Sequence, residues 1–408
     1  MSIGNHKPLV DLAEIETVDN VVLFISDSTR IEAVPDEIWK IGMRLPMIAS
    51  STFTAPSLPS ILSGQYPSTH QVWSFNDRLP ETPALISQDN VGFRADTIWT
   101  HLEPESKPPR RMARTTATDR VENLTSPFVY VEHHKGGHDP YGYSFEECAS
   151  TGEFFESKVD SLDEIPKLYQ RSVDKACQRF FELVDHLKAR NILENTLVVF
   201  TSDHGEVLGE SEYGGAIGHE QPMVPELVKV PTVLLGAGLP GGATLSGQYS
   251  GTDIAPTALG AMNETVPSSC DGIDLWSHVP DREYVRSEVW RTKQLDRIEH
   301  TFTKYNAASL WDRDGGRVYH RASTVERLAY AAYSQWIAKH GAHLVRKNLT
   351  YSDVRGLLST YIPQTLEYGS PRFSVEDGRE ALPDPFQARE MDSEDAIPKE
   401  QLEQLGYL

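Results

Sequence analysis

In "VVLFISDSTR" (residues 21–30) a β-rich apolar run stops abruptly at Asp27-Ser28. Such a run reads as a buried strand that releases polar groups at its carboxyl end, and in open parallel sheets that end is where ligands bind. Three further runs share the form. "ADTIWTH" (95–101) ends in His101, "PFVYVEHH" (127–134) in Glu132-His133-His134, and "TLVVFTSDHGE" (196–206) in Asp203-His204-Gly205-Glu206. Between the last two, Ile165, Leu168, Val173, Ala176, Phe180, Leu183, Val184 and Leu187 recur at three-to-four spacing and predict a helix over about 164–190.

Strands that alternate with helices predict a doubly wound, mostly parallel α/β sheet flanked by helices. A strand at "VPTVLLG" (230–236) and a helix at "DIAPTALGAM" (253–262) complete this core, which is expected to span 1–265. From 266 to 375 the texture changes to a smaller C-terminal α+β unit. It has short antiparallel strands with a turn at Asp-Gly-Gly, then a helical stretch near 324–348; residues 376–408 form an acidic, Pro-bearing tail.

The 408 residues, 39% of them hydrophobic, suffice for one large core and a smaller appended unit. The start "MSIGNHKPLVDLAEIETVDN" lacks the basic cluster and unbroken apolar run of a signal peptide, and no window approaches the length of a transmembrane segment. Cys148, Cys177 and Cys270 have no paired spacing, which disfavours a disulfide framework or a zinc cluster. A soluble, cytoplasmic protein is therefore expected. The net charge of -21 argues against nucleic acid or an anionic membrane as partner, and it suits the screening of a high-salt, halophilic cytoplasm. Oligomeric state leaves no sign in the sequence.

Asp27, Asp203 and His204 offer oxygen and nitrogen ligands at strand ends, beside the segment "TFTAPSLPSILSGQYPSTH" (52–70). The set suits one divalent cation of the Mn, Zn, Mg or Ca type. Thr54 stands where such a cation would also meet its hydroxyl, a group that is a poor nucleophile at neutral pH until activated. Taken singly, each of these residues also reads as a cap or turn residue.

The chain resembles the alkaline phosphatase and sulfatase superfamily, in particular its sulfatase-like branch. The resemblance runs through "NVVLFISDSTR" (20–30), "TFTAPSLPSILSGQYPSTHQV" (52–72), "FVYVEHHKGGHDPYG" (128–142), "VVFTSDHGEVLGE" (198–210), "GHEQPMVPELVKVPTVLL" (218–235) and "TDIAPTALGAM" (252–262), to the ending "LEQLGYL" (402–408). Sulfatases read Cys or Ser-x-Pro-x-Arg, then a small-residue helix and a Gly-x-Tyr-Pro close, with the first residue as nucleophile. Thr54, Pro56, Gly64, Tyr66 and Pro67 fall on that pattern, whereas Leu58 stands where the arginine would be. Threonine cannot give the formylglycine aldehyde. "ADTIWTHLEP" (95–104) lacks the lysine of the family's Gly-Lys-Trp-His segment, and Ser28 replaces a second metal aspartate.

These departures favour phosphorus over sulfur and one cation over two. The resemblance implies metal ligation by Asp27, Thr54, Asp203 and His204. It also implies help at the leaving group from His138 or His219, and substrate contact by His138 and Arg30. The function so expected is a metal-dependent hydrolase or transferase of phosphate esters through a covalent Thr54 intermediate, acting on a small molecule, a glycan or a polymer. A sulfuric ester hydrolase without formylglycine is the alternative, and a non-catalytic sulfatase-like binding protein a further one.

Overall fold

The computed structural model describes residues 2–4, 7–95, 107–144, 147–295, 300–384 and 386–387. Its centre is an eight-stranded sheet, in which Asn20–Ser26 pairs in parallel with Phe128–His134 on one side and with Thr196–Thr201 on the other. Val91–Arg94 forms the edge beyond Phe128–His134. All seven residues of Asn20–Ser26 are buried, as the unbroken apolar run predicts.

Alternation along these strands serves two faces at once. Val22, Phe24, Val198 and Phe200 join a cluster with Val173, Phe180, Leu183 and Leu187 of the helix Ile165–Ala189. Val21, Leu23, Ile25 and Val199 point the other way, into a cluster with Leu58, Ile61 and Leu62 of the helix Thr54–Ser63 and Ile254 and Ala258 of the helix Ile254–Ala261. The sheet is thus covered on both sides, the doubly wound α/β arrangement expected from the sequence.

Two details differ from the sequence reading. Thr232–Leu235 runs antiparallel to both its neighbours, Thr196–Thr201 and Met43–Arg44, because an apolar run looks the same in either direction. The helical stretch expected near 324–348 is divided. Thr324–Tyr333 gives way to a π-helical turn at Ser334–Ala338, and Ala342–Lys347 restarts behind Gly341, whose φ of 83° lies in the left-handed region. The strand expected at "ADTIWTH" (95–101) and most of the acidic tail lie outside the described residues.

Val285–Leu295, His300–Trp311, Gly315–His320 and Thr365–Gly369 form a separate four-stranded antiparallel sheet. Val289, Tyr305, Ala307 and Trp311 from this sheet share one hydrophobic cluster with the core. Among the described residues no helix is long and apolar enough to cross a membrane.

Candidate active site

The carboxyl ends of three neighbouring strands carry Asp27, His133 and Asp203-His204, and the helix Thr54–Ser63 begins beside them. Thr54 is the first residue of that helix, which puts its hydroxyl at the positive end of the helix dipole. Gly64, in the left-handed conformation at φ 73°, closes the helix by donating its N–H to the Ser60 carbonyl at 2.9 Å. Ser57 Oγ donates to the Asp203 carbonyl at 2.5 Å, so the helix and the Asp203 turn are fixed to each other. The segment 52–70 is therefore both a helix start and the support of a hydroxyl.

Around that hydroxyl the geometry is tight. Thr54 Oγ1 lies 3.2 Å from His204 Nε2 and 3.3 Å from Asp27 Oδ2. His204 Nδ1 lies 2.8 Å from the Gly205 carbonyl, the bond that assigns its proton to Nδ1 and leaves Nε2 to accept. His133 Nε2 is 3.4 Å from Asp203 Oδ2 and 3.5 Å from Asp27 Oδ2. Asp27, Asp203 and His204 are completely buried, and one ligand atom from each lies within 4.8 Å of the others.

Two buried carboxylates facing each other are unfavourable without compensation. Burial and then Asp203 push the Asp27 carboxyl up. Asp203 also feels burial, but His204 and the hydrogen bond with His133 outweigh it and hold its carboxyl well below the usual range. Two carboxylates, an acceptor imidazole and a hydroxyl at one point are the donor set of a divalent cation, so the residues present fit the expected metal. Ser28 adds no second carboxylate. Its φ of 56° is unusual for a non-glycine residue and turns its N–H toward Asp203 Oδ1 at 3.4 Å, while its Oγ donates to Asp27 Oδ1 at 2.8 Å.

A second group of side chains stands beside this set. The ring of His219 is 4.9 Å from that of His138 and 4.7 Å from that of His204, centroid to centroid. His219 Nδ1 is 3.0 Å from Glu206 Oε2, and Tyr141 donates its hydroxyl to Glu206 Oε1 at 3.1 Å. The two imidazoles of His138 and His219 are held in opposite states. Burial is outweighed at His138 by Asp27 and by its bond with Asp139, which raise it to about 10. Burial, reinforced by His138, lowers His219 to about 3. Burial also pushes Glu206 up to about 7.

Of the residues named from the sequence, Asp27, Thr54, Asp203, His204, His138 and His219 all come together here. Arg30 stands at the margin: its guanidinium pairs with Glu210 and Glu32, and its Nη1 donates to the Glu206 carbonyl at 3.3 Å. Leu58 is fully buried in the hydrophobic cluster. Glu132 pairs with Arg179 at 2.9 Å, and His134 stacks on Phe24, burial lowering it to about 4. His101 lies outside the described residues. The sequence reading passed over Glu206 and gave His133 no role, although both stand in the strand-end runs and the alternation of "EHH" already sets His133 on the face opposite to its two neighbours.

Gly205 is where the site depends on close backbone approach: a Cβ there would lie 1.9 Å from the Glu226 carbonyl oxygen. Gly205→Ala is expected to destabilise the fold by about 2–4 kcal/mol, since backbone must move. It also displaces His204, so thermal unfolding and metal affinity should worsen together.

Comparison with known proteins gives a consistent picture. A sequence model of the sulfatase family matches residues 108–264. Over 98% of this chain and 99% of the relative, the sequence is 38% identical to the low-salt glycan biosynthesis sulfotransferase Agl7 of Haloferax volcanii. The phosphonate monoester hydrolase of Agrobacterium radiobacter superposes with a TM-score of 0.55 over 86% of this chain and 96% of that one, at 14% identity. A protein solved with its substrate D-glucosamine-2-N,6-O-disulfate gives a TM-score of 0.52 over 74% of this chain and 89% of that one, at 16% identity. The two structures share the fold, and the sulfotransferase is matched along nearly its full length. With its Asp27, Thr54 and Asp203-His204 constellation, the chain belongs to the sulfatase family, within the alkaline phosphatase superfamily.

Proposed function

We propose that this protein transfers a sulfuryl group between an ester and a hydroxyl acceptor on a glycan, with Thr54 taking the group up covalently. The observation that carries the reading is the Thr54 hydroxyl at a helix start, 3.2 Å from His204 Nε2 and 3.3 Å from Asp27 Oδ2. Sulfur and a glycan come ahead of phosphorus because of the full-length likeness to a glycan sulfotransferase. The sequence read alone had favoured phosphorus. Phosphoryl transfer stays as the second reading, supported by a threonine that cannot become formylglycine and by Leu58 buried in place of the family's arginine.

The chemistry has two displacements. In the first, a bond forms from Thr54 Oγ1 to sulfur while the bond from sulfur to the leaving oxygen breaks. The Thr54 proton faces Asp27 Oδ2 and His204 Nε2, and the leaving oxygen takes a proton from His138, the imidazole held protonated. In the second, an acceptor hydroxyl, of a glycan or of water, gives its proton to the His138 imidazole left neutral by the first and attacks sulfur, while the departing Thr54 oxygen recovers its proton from the Asp27 and His204 side. A divalent cation held by Asp27, Asp203 and His204 would supply positive charge that favours ionisation of the hydroxyl and offsets charge on the transferred group. His219, kept neutral, is a poor proton donor, so the acid role expected of His138 or His219 falls to His138. We place this reaction in a salt-rich cytoplasm, where the net charge of -21 is screened from an anionic substrate.

A paired rate assay tests the reading. In high salt with Mn, Zn, Mg or Ca, the protein is offered an aryl sulfate, an aryl phosphate monoester and an aryl phosphodiester, with and without an oligosaccharide acceptor. Faster release from the sulfate, and more so with the acceptor, is expected. Faster turnover of either phosphate would replace sulfuryl with phosphoryl transfer. No turnover of any ester, with metal bound, would leave a binding protein of sulfatase fold.

A further inference from the structure

We propose that His219 is held in its working position by a two-sided clamp, Glu206 on its ring and Lys339 on its backbone, and that both are positioning residues. This rests on the proposed function for its catalytic meaning and on geometry for its parts. Glu206 is fully buried, accepts from His219 Nδ1 at 3.0 Å through one oxygen and from the Tyr141 hydroxyl at 3.1 Å through the other. With Nδ1–H donated to Glu206, the neutral ring has Nε2 as its acceptor nitrogen, so its orientation and tautomer are set together. The ring is thereby set between those of His138 and His204.

The backbone needs its own support. His219 follows the two-residue strand Ile217–Gly218, which among the described residues pairs only with Val207–Leu208 and is preceded by the left-handed Gly214 and Gly215. So short a hairpin is marginal by itself. Lys339, at the end of the π-helical turn Ser334–Ala338, donates its ammonium to the His219 carbonyl at 2.9 Å and to the Ile217 carbonyl at 3.3 Å. π-helical turns are frequent at functional sites. The segment between the third and fourth strands of the antiparallel sheet, Gly315–His320 and Thr365–Gly369, therefore fixes a histidine of the core, which gives that part of the chain a place beside the site.

The test combines kinetics with a readout that needs no turnover. In histidine-labelled protein the His219 Nδ1–H proton is followed by nitrogen-15 NMR, beside kcat and KM of Glu206→Ala, Glu206→Gln, Lys339→Met and Lys339→Arg. Glu206→Ala should lose the Nδ1–H signal and lower kcat by about 10- to 100-fold, with KM little changed. Glu206→Gln still offers an oxygen to Nδ1 and should restore both. Lys339→Met should lower kcat by a comparable factor and broaden the His219 signal, and Lys339→Arg should restore most of the loss. A wild-type Nδ1–H signal and kcat in folded Glu206→Ala or Lys339→Met would overturn the clamp. If the unmodified protein turns over no ester, the proposed function fails while the Nδ1–H signal still decides the clamp.

Discussion

Thr54→Ala is expected to lower turnover by roughly ten-thousand-fold or more, the scale on which enzymes with covalent intermediates lose rate when the nucleophile is removed. The substitution deletes the hydroxyl that lies 3.2 Å from His204 Nε2 and 3.3 Å from Asp27 Oδ2. It should leave the fold intact. The helix cap position is Phe53, which makes no side-chain capping bond, and alanine is well tolerated in a first turn. Stability should fall by about 1–3 kcal/mol, the cost of leaving two buried acceptors without their donor, and Asp27, Asp203 and His204 remain to hold a cation. Thr54→Ser restores the hydroxyl and should restore most of the rate. Turnover by Thr54→Ala within tenfold of the parent would remove Thr54 from the chemistry.

Asp203→Asn carries the second large effect, on metal rather than on the nucleophile. Asp203 Oδ1 accepts the N–H of Ser28 at 3.4 Å and of His204 at 3.1 Å, and Oδ2 faces His133 at 3.4 Å. An asparagine can keep the first two bonds through its oxygen, so the local fold survives. It loses the charge, and its amide nitrogen then points where a cation would need an oxygen lone pair. Affinity for divalent metal should fall by about a hundredfold or more. Without metal the variant relieves Asp27 of a like charge but gives up the carboxylate that His204 and His133 hold well below the usual range, so its stability should fall modestly. The parent should gain unfolding temperature when metal is added, as a ligand bound only by the folded state requires, and Asp203→Asn should gain little. An equal gain in the two proteins would place the metal elsewhere.

Much of the fold and site is visible in local sequence, for a physical reason. A strand covered on both faces must be apolar throughout, so "VVLFIS" and "TLVVF" announce both their burial and the polar turn at which it ends. Thr54 is legible because a helix start beside such turns is a natural seat for a hydroxyl. What stays hidden depends on contacts across the chain. Glu132, His133 and His134 differ little in composition, and only pairing with Asn20–Ser26 decides that His133 meets Asp27 while Glu132 meets Arg179. Glu206 and His219 are joined across a hairpin too short to leave a periodic signal. Lys339 arrives from a π-helical turn 120 residues from the histidine it holds. Gly341, by contrast, was a usable mark of the break in the helix expected near 324–348.

The central claim is that Thr54 carries the group in transit. Turnover of an aryl sulfate quenched in acid, followed by peptide mapping at accurate mass, tests it most directly, with His138→Ala beside the parent to slow release. The account predicts a peptide containing Thr54 heavier by one sulfuryl group, a mass distinguishable from phosphoryl, and no such peptide from Thr54→Ala. A modified residue other than Thr54, or a Thr54→Ala protein that turns over the ester at the parent's rate, would contradict it.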